Sequence, residues 1–426
     1  MSLNNSRAEI IAIGSEFLHG GRLESNSIFL AEGLAKCGIA VEWKTLVGDS
    51  EKNIALAITT AVRRANVVIV TGGLGSTVDD CTREAVAAVT GRKLRRRLKA
   101  FTVLKTRYAA HGRPLTNVVS RQAFLPVGAE MLENPVGSAP GFLLEWKRSV
   151  IMALPGVSKE AQAIFETQVV PRLASCVSQS TRLQQKMFFT VGLTELQVDD
   201  RLHPIIRQSQ SVELSLLASV LGVTVVLRAW IPQGSGRSTN QKFSEFESLV
   251  SLIRQTLGDS MYGEDEQTME DVVGQQLKSA SLSLALAESC TGGLIGHRLT
   301  QIAGSSAYLD RSFVCYSNQA KQDLLEVPRK LLNRHGAVSA SVAQAMAIGA
   351  RRKSQTDVGL SVTGIAGPGG GTASKPVGLV FIGIDGPYGT HVKPFQFYGD
   401  RQDVKMRASQ AALNILRLYL LRFFKS

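Results

Sequence analysis

Runs of consecutive apolar residues alternate along the chain with stretches in which apolar positions recur at helical spacing. Residues 9–13, apolar after Glu9, and 67–70 are short strand-like runs, and residues 27–37 between them carry the helical pattern. That alternation predicts a parallel sheet with helices on its faces. Residues 150–153 repeat the strand pattern between two turn-rich stretches, 134–141 and 153–156, and the first domain is expected over residues 1–172. Over residues 188–258 the order changes to strand, helix, two strands at 213–218 and 223–230, a Gly/Ser-rich loop and a last helix. This predicts a small α+β connecting domain over 173–259. From the apolar run 282–287 onward strand and helix alternate again, so a further α/β domain is expected over 260–426. The expected fold class is α/β, in a multidomain chain.

Composition narrows the class. Hydrophobic residues make up 44% of the 426 residues and charged residues 19%, with 39 Gly against 13 Pro. That balance excludes disorder and fibre, and suits a globular protein with many tight loops. No stretch approaches the roughly 18 uninterrupted apolar residues of a membrane helix, and no secretory signal pattern is present, so a cytoplasmic protein without a membrane partner is expected. The five cysteines, Cys37, Cys81, Cys176, Cys290 and Cys315, are scattered without a CxxC pair, which argues against a disulfide framework or a structural zinc site. The net charge is +13, and one segment supplies much of the excess: Arg92, Lys93, Arg95, Arg96, Arg97, Lys99, Lys105 and Arg107 occur with no acid among them. Such a run reads as a solvated basic helix face or as a nucleic-acid patch. Without an interleaved aromatic row the first reading is favoured.

The strongest chemical signal is Ala287-Glu288-Ser289-Cys290-Thr291-Gly292-Gly293, set between the strand 282–287 and the helical run 294–300. A strand-to-helix turn exposes its side chains and aims backbone N–H groups, with the positive helix end, at whatever binds there. Ser289 is therefore a candidate nucleophile, and its alternative role is a helix cap. Cys290 is the rival nucleophile, directed away if Ser289 points in. Tyr316 and Lys321 follow in the next segment, and no His/Asp pair is placed for a conventional triad. A buried lysine loses its charge readily and can accept a serine proton, while a tyrosine hydroxyl can relay one. Their bland alternatives are a core aromatic and a surface charge. The glycine-rich residues 361–371 after a strand, with Lys375 beyond, suit a phosphate or ribose cradle.

Together with Ala303-Gly304-Ser305-Ser306, Tyr316-Ser317-Asn318, His335-Gly336-Ala337-Val338-Ser339, Thr363-Gly364-Ile365-Ala366-Gly367-Pro368 and Lys375-Pro376-Val377-Gly378, this motif resembles the C-terminal domain of the CinA family over residues 262–420. The resemblance implies a nicotinamide-nucleotide amidohydrolase that converts nicotinamide mononucleotide to nicotinate mononucleotide and ammonia without a cofactor. By position it puts the catalytic roles on Ser289, Tyr316 and Lys321. Substrate binding is expected at Thr291, Gly292, Gly293, Asn318, Gly364, Gly367 and Lys375.

A second set of residues lies near the N-terminus: Ile13-Gly14-Ser15-Glu16, Asn26, Val47-Gly48-Asp49 and Thr71-Gly72-Gly73-Leu74-Gly75-Ser76-Thr77-Val78-Asp79-Asp80-Cys81-Thr82. Glycines after an apolar strand suit close phosphate approach, and Asp79 with Asp80 either hold a hard divalent ion or serve as helix-start charges. With the turns at 134–141 and 154–157, residues 8–170 resemble the CinA N-terminal domain, a three-layer domain related to the molybdopterin-binding fold. This implies an ADP-ribose pyrophosphatase using Mg, Mn or Co, with a nucleotide site at Glu16, Asn26, Gly72, Gly73, Gly75, Asp79 and Asp80 and the metal on Asp79 and Asp80. Ser15, Phe17, Ser76 and Ser158 depart from the family pattern of Thr, Leu, Pro and Pro, and a missing proline at 76 is expected to free the loop. The competing function is a DNA-uptake or repair accessory protein that binds nucleic acid or a recombinase, its N-terminal domain a non-catalytic nucleotide or pterin binder. A homo-oligomer is expected.

Overall fold

The computed structural model describes residues 7–110, 112–176, 181–207, 209, 212–232 and 237–423. The chain forms two compact units, Met1–Gln184 with Trp230–Phe243, and Gln185–Ala229 with Ser244–Ser426. In the first unit the strands are β1 (Arg7–Ile13), β2 (Ala40–Val47), β3 (Val67–Thr71), β4 (Leu94–Arg96), β5 (Phe124–Pro126), β6 (Glu130–Leu132), β7 (Gly141–Trp146) and β8 (Ser149–Leu154). Six of them form one sheet in the order β2-β1-β3-β8-β7-β6, while β4 and β5 pair separately. Strands β2, β1, β3 and β8 are parallel, and β7 and β6 join antiparallel.

The alternation of side chains along these strands builds two cores. Ile11, Val68, Val70 and Ile151 face Ile54 and Ile58 of the helix Glu51–Arg64, and Ala8, Ile10, Ile69 and Met152 face Leu30 and Leu34 of the helix Asn26–Lys36. A strand apolar on both faces has to be covered on both, so the continuous runs in the sequence become the central layer of three. Because β1, β3 and β8 are parallel, the segments after Ile13, Thr71 and Leu154 all leave one edge of the sheet, the edge where ligands of such sheets bind.

Two further sheets lie largely in the second unit. Strands β9 (Thr181–Thr190), β10 (Val212–Ser219), β11 (Gly222–Pro232) and β12 (Met261–Glu264) make a four-stranded sheet in the order β10-β11-β9-β12. β12 pairs antiparallel with β9, so the middle sheet reaches past residue 259. Strands β13 (Leu284–Glu288), β14 (Leu309–Val314), β15 (Val358–Gly364), β16 (Leu379–Asp385) and β17 (His391–Gln396) form a sheet ordered β14-β13-β15-β16-β17. On β13, Leu284 and Leu286 join the core made with the helices Met269–Ser279 and Arg401–Leu420, and Ala285 and Ala287 meet the helix Ala340–Ser354 on the other face.

The basic segment 92–107 is largely exposed, as expected of a solvated face, but it is not a single helix. Its first part is β4 and its second part the helix Leu98–Ala110. Arg92 donates to the Val127 carbonyl, Arg97 to the Ala129 carbonyl and Arg107 to the carbonyls of Asn134, Pro135 and Gly137. Long guanidinium side chains here satisfy loop carbonyls that no secondary structure pairs. Among the described residues no helix is long and apolar enough to cross a membrane.

Candidate active site

Strands β13, β14 and β15 are parallel and end side by side, with Glu288 opposite Val314 on one side and Val362 on the other. The segments that carry Ser289, Tyr316 and Gly367 therefore start at one edge. Ser289 is fixed there by its own N–H, which donates to the Val362 carbonyl at 2.9 Å, and the Cys315 N–H donates to the Glu288 carbonyl at 2.8 Å. The Gly292 N–H closes the turn on the Ser289 carbonyl at 3.1 Å. Gly292 and Gly293 have φ of +63° and +91°, a region that side chains disfavour.

Lys321, in the helix Asn318–Leu325, is fully buried. Its Nζ lies 3.0 Å from Ser289 Oγ, 2.7 Å from the Cys315 carbonyl and 3.2 Å from the Tyr316 carbonyl. Burial holds its pKa below that of an ordinary lysine. A neutral amine has two N–H groups and one lone pair. Protonated, the amine has an acceptor for each of its three N–H groups; once neutral, with its N–H groups on the two carbonyls, its lone pair is left for the Ser289 hydroxyl proton. Cys290 lies in the core with Leu286, Ile295 and Val362, and burial pushes its thiol up to about 12, so it is not a thiolate at neutral pH.

The helix end next to Ser289 is not open to a ligand as the sequence suggests. Glu288, fully buried, accepts the N–H groups of Ile295 at 3.0 Å and Gly296 at 2.8 Å, and the Ser312 hydroxyl at 3.1 Å. A carboxylate satisfying the first amides of the helix Leu294–Thr300 also answers its positive end. The turn itself remains, where the N–H groups of Thr291 and Gly293 have no backbone acceptor among the described residues. Thr291 is fully buried with Oγ1 unpartnered.

The Tyr316 side chain is exposed, and its hydroxyl accepts from Arg401 Nη2 at 2.8 Å. Its carbonyl touches Lys321, while its hydroxyl is directed to neither Ser289 nor Lys321. Arg401 Nη1 also donates to the Gly367 carbonyl at 2.7 Å. Arg401 and Lys405 line a cleft of about 700 Å³ with Leu294, Gly367, Pro368 and Met406, and a Cβ on Gly292 lies 3.7 Å from Lys405 Nζ. The sequence reading does not reach these two cations, whose sole local signal is their spacing of one turn after the helix-capping Asp400. Asn318 is exposed at the start of its helix, and Gly364 pairs with Val380 at the end of β15. Lys375 is engaged with the His335 carbonyl and ties two loops together.

In the first unit Glu16, Asn26, Gly72, Gly73, Gly75, Asp79 and Asp80 all line one cleft of about 620 Å³. Asn26 Nδ2 donates to Thr71 Oγ1 at 2.9 Å and to the Gly156 carbonyl at 3.0 Å, which joins the ends of β3 and β8. Ser15 and Asp49 bond reciprocally through N–H and side chain, at 2.7 and 3.1 Å. The two aspartates do different work. Asp80 accepts the N–H groups of Gly75 and Thr77, both at 2.8 Å, and so restrains the loop on either side of Ser76. The loop expected to be loose without proline is clamped by other means. Asp79 is exposed, and its carboxyl lies below the usual carboxylate range beside Thr77, whose hydroxyl donates to Asp80. Among the described residues no three His, Cys, Asp or Glu side chains converge to hold a metal ion. An ion resting on Asp79 and on a substrate's own phosphates fits this arrangement, since magnesium commonly binds through one or two carboxylates plus phosphate.

Residues 266–420 match the family described as CinA C-terminal domain, residues 9–175 the one described as "Probable molybdopterin binding domain", and residues 185–263 the one described as "Damage-inducible protein CinA KH domain". A competence-damage inducible protein of Halothermothrix orenii is 40% identical over 420 residues, covering 98% of this chain and 100% of that one. A CinA-like protein of Solibacter usitatus is 39% identical over 411 residues, 96% of this chain and 97% of its own length. A solved competence/damage inducible protein of Agrobacterium tumefaciens is 42% identical, covers 36% of this chain and 93% of that chain, and has a TM-score of 0.35. With relatives aligned across both clefts and nearly the whole length, the chain belongs to the CinA family, with a molybdopterin-binding-like N-terminal domain, a KH-like middle module and a CinA C-terminal domain.

Proposed function

We propose that the C-terminal domain hydrolyses the carboxamide of nicotinamide mononucleotide, with Ser289 as nucleophile and Lys321 as its base. The observation that carries this reading is the contact of 3.0 Å between a fully buried amine and the Ser289 hydroxyl. The lysine takes the hydroxyl proton as Ser289 Oγ bonds to the amide carbon, and the carbonyl oxygen becomes an oxyanion facing the turn amide of Gly293. The protonated lysine then returns its proton to the leaving nitrogen. Ammonia departs, an acyl ester on Ser289 remains, and water attacking that ester with the same lysine as base releases nicotinate mononucleotide. Arg401 and Lys405 supply the cations for the nucleotide phosphate, and Tyr316 steadies Arg401. Incubation of the purified chain with nicotinamide mononucleotide should release ammonia and the acid in equal amounts. Ser289→Ala should release none, while Cys290→Ser should retain most of the activity. Ammonia release by Ser289→Ala, or its loss in Cys290→Ser alone, overturns the serine mechanism.

The N-terminal cleft favours a second activity in the same chain, cleavage of ADP-ribose at its diphosphate. Its support is the convergence of the glycine loop, Asn26 and Asp79 on one cleft. A divalent ion on Asp79 supplies neutralisation of the diphosphate charge. Asp79→Ala should abolish AMP formation from ADP-ribose in the presence of magnesium, manganese or cobalt. Binding of ADP-ribose by the unsubstituted chain without AMP formation with any of these ions would make the domain a binding module.

A further inference from the structure

The loop after β3 is held from beneath by a side chain that neither proposed chemistry uses. Arg83, the second residue of the helix Thr82–Thr90, is only 1% exposed. Its Nη1 donates to the Leu74 carbonyl at 2.7 Å and its Nη2 to the Gly75 carbonyl at 2.8 Å. Immediately before it, Thr82 Oγ1 donates to the Gly72 carbonyl at 2.8 Å and the Thr82 N–H to the Gly73 carbonyl at 3.2 Å. Four consecutive carbonyls thus turn toward the start of one helix. In a planar trans peptide the N–H of the following residue points the opposite way. The Gly75 N–H meets Asp80, whereas those of Gly73, Leu74 and Ser76 have no acceptor among the described residues.

The crowding that this requires is visible in the glycines. Gly72 and Gly73 have φ of +110° and +64°, and a Cβ would lie 2.5 Å from the Ile13 carbonyl oxygen at the first and 2.3 Å from Thr82 Oγ1 at the second. Consecutive open amides in such a turn form an anion-binding concavity. Gly73, Leu74 and Gly75 line the cleft. So does Gln122, a residue 5% exposed whose Oε1 has no partner and, as an acceptor, suits a ligand hydroxyl rather than a phosphate oxygen.

We propose that Arg83 is the positioning residue of a phosphate site, orienting the amides of residues 73–76 toward the cleft and placing a guanidinium charge directly beneath them. This rests on the nucleotide reading of the N-terminal cleft. Arg83 forms no ion pair within 4 Å among the described residues, and the carboxylates of Glu84 and Asp80 act on its charge only from farther away. Burial pulls its pKa down, yet a guanidinium stays protonated in proteins. The cleft needs that charge, since Glu16, Glu24, Asp49, Asp79, Asp80 and Glu160 line it against Arg22 and Lys159. A lysine at position 83 keeps the charge but lacks the planar fork that spans two carbonyls.

The test is calorimetric titration of the full chain and its Arg83→Met and Arg83→Lys variants with ADP-ribose and pyrophosphate, and with adenosine as the ligand that lacks phosphate. Arg83→Met should weaken ADP-ribose and pyrophosphate binding by roughly tenfold or more and leave adenosine binding unchanged, with Arg83→Lys between it and the parent. Undiminished ADP-ribose binding by Arg83→Met, or an equal loss for adenosine, overturns the positioning role. If Arg83→Met does not fold, Arg83→Lys decides on the same comparison. A parent chain that binds neither ADP-ribose nor pyrophosphate overturns the nucleotide reading and the phosphate site with it.

Discussion

Lys321 concentrates the chemistry of the C-terminal site in one titration. Burial lowers its pKa in the folded chain, while in the unfolded chain it returns to the ordinary lysine value of about 10.4. Between these two values the unfolded state binds more protons than the folded one, so stability rises with pH across that window. Lys321→Met should lose this rise, read as the pH dependence of urea midpoints from neutral pH upward, and an unchanged dependence would show that Lys321 is charged when folded. The same titration governs catalysis. Activity should climb with pH as the amine loses its proton, and Lys321→Met should be inactive at every pH while still binding substrate. Tyr316 is a different case, because its hydroxyl sits on Arg401 rather than on the dyad. Tyr316→Phe should raise KM for nicotinamide mononucleotide with kcat and the pH profile little changed, whereas a fall confined to kcat would restore a proton-relay role.

At the level of elements, the turn after β13 depends on a carboxylate with no solvent contact. Glu288→Ala leaves the N–H groups of Ile295 and Gly296 and the Ser312 hydroxyl without their acceptor, which should cost about 3 kcal/mol in unfolding free energy. Glu288→Gln keeps one acceptor oxygen and should cost about half as much, a difference measurable by urea denaturation. This cap also marks the limit of what the chain's one-dimensional pattern reveals. The strands that carry the two clefts were legible, because β1, β3, β8 and β13 are buried on both faces and read as mostly apolar runs, with Glu9 and Glu288 the buried charged exceptions. The Ser289 turn was legible for the same reason, as it is continuous in sequence. Arg401 and Lys405 were not, since they reach the cleft only when the last long helix packs on the sheet. Nor was the fate of the basic segment 92–107, whose arginines find carbonyls some 30 residues away. Charge along a chain records composition, while hydrogen-bond partners at that separation are set by tertiary packing.

On the scale of the whole molecule, the two clefts are each assembled from a single stretch of chain. The N-terminal cleft draws its lining from residues between Ile13 and Glu160, and the C-terminal cleft from residues between Leu294 and Met406, beside the dyad at Ser289 and Lys321. Neither borrows a side chain from the other, and each lies at the carboxyl edge of its own sheet. The proposed chemistries also share no group: a serine ester formed with a lysine base in one, a diphosphate held by main-chain amides and a carboxylate in the other. The two activities should therefore separate by point substitution in the intact chain. Ser289→Ala should abolish ammonia release from nicotinamide mononucleotide and leave AMP formation from ADP-ribose at the parent rate. Asp79→Ala, whose exposed side chain supports no loop amide as Asp80 does, should do the reverse without lowering thermal stability. Both products are measured in one reaction containing both substrates, so that each variant reports on both sites at once. Loss of both activities in either variant, with the fold intact by circular dichroism, would show that the sites are energetically coupled and that the independence argued from their linings is wrong.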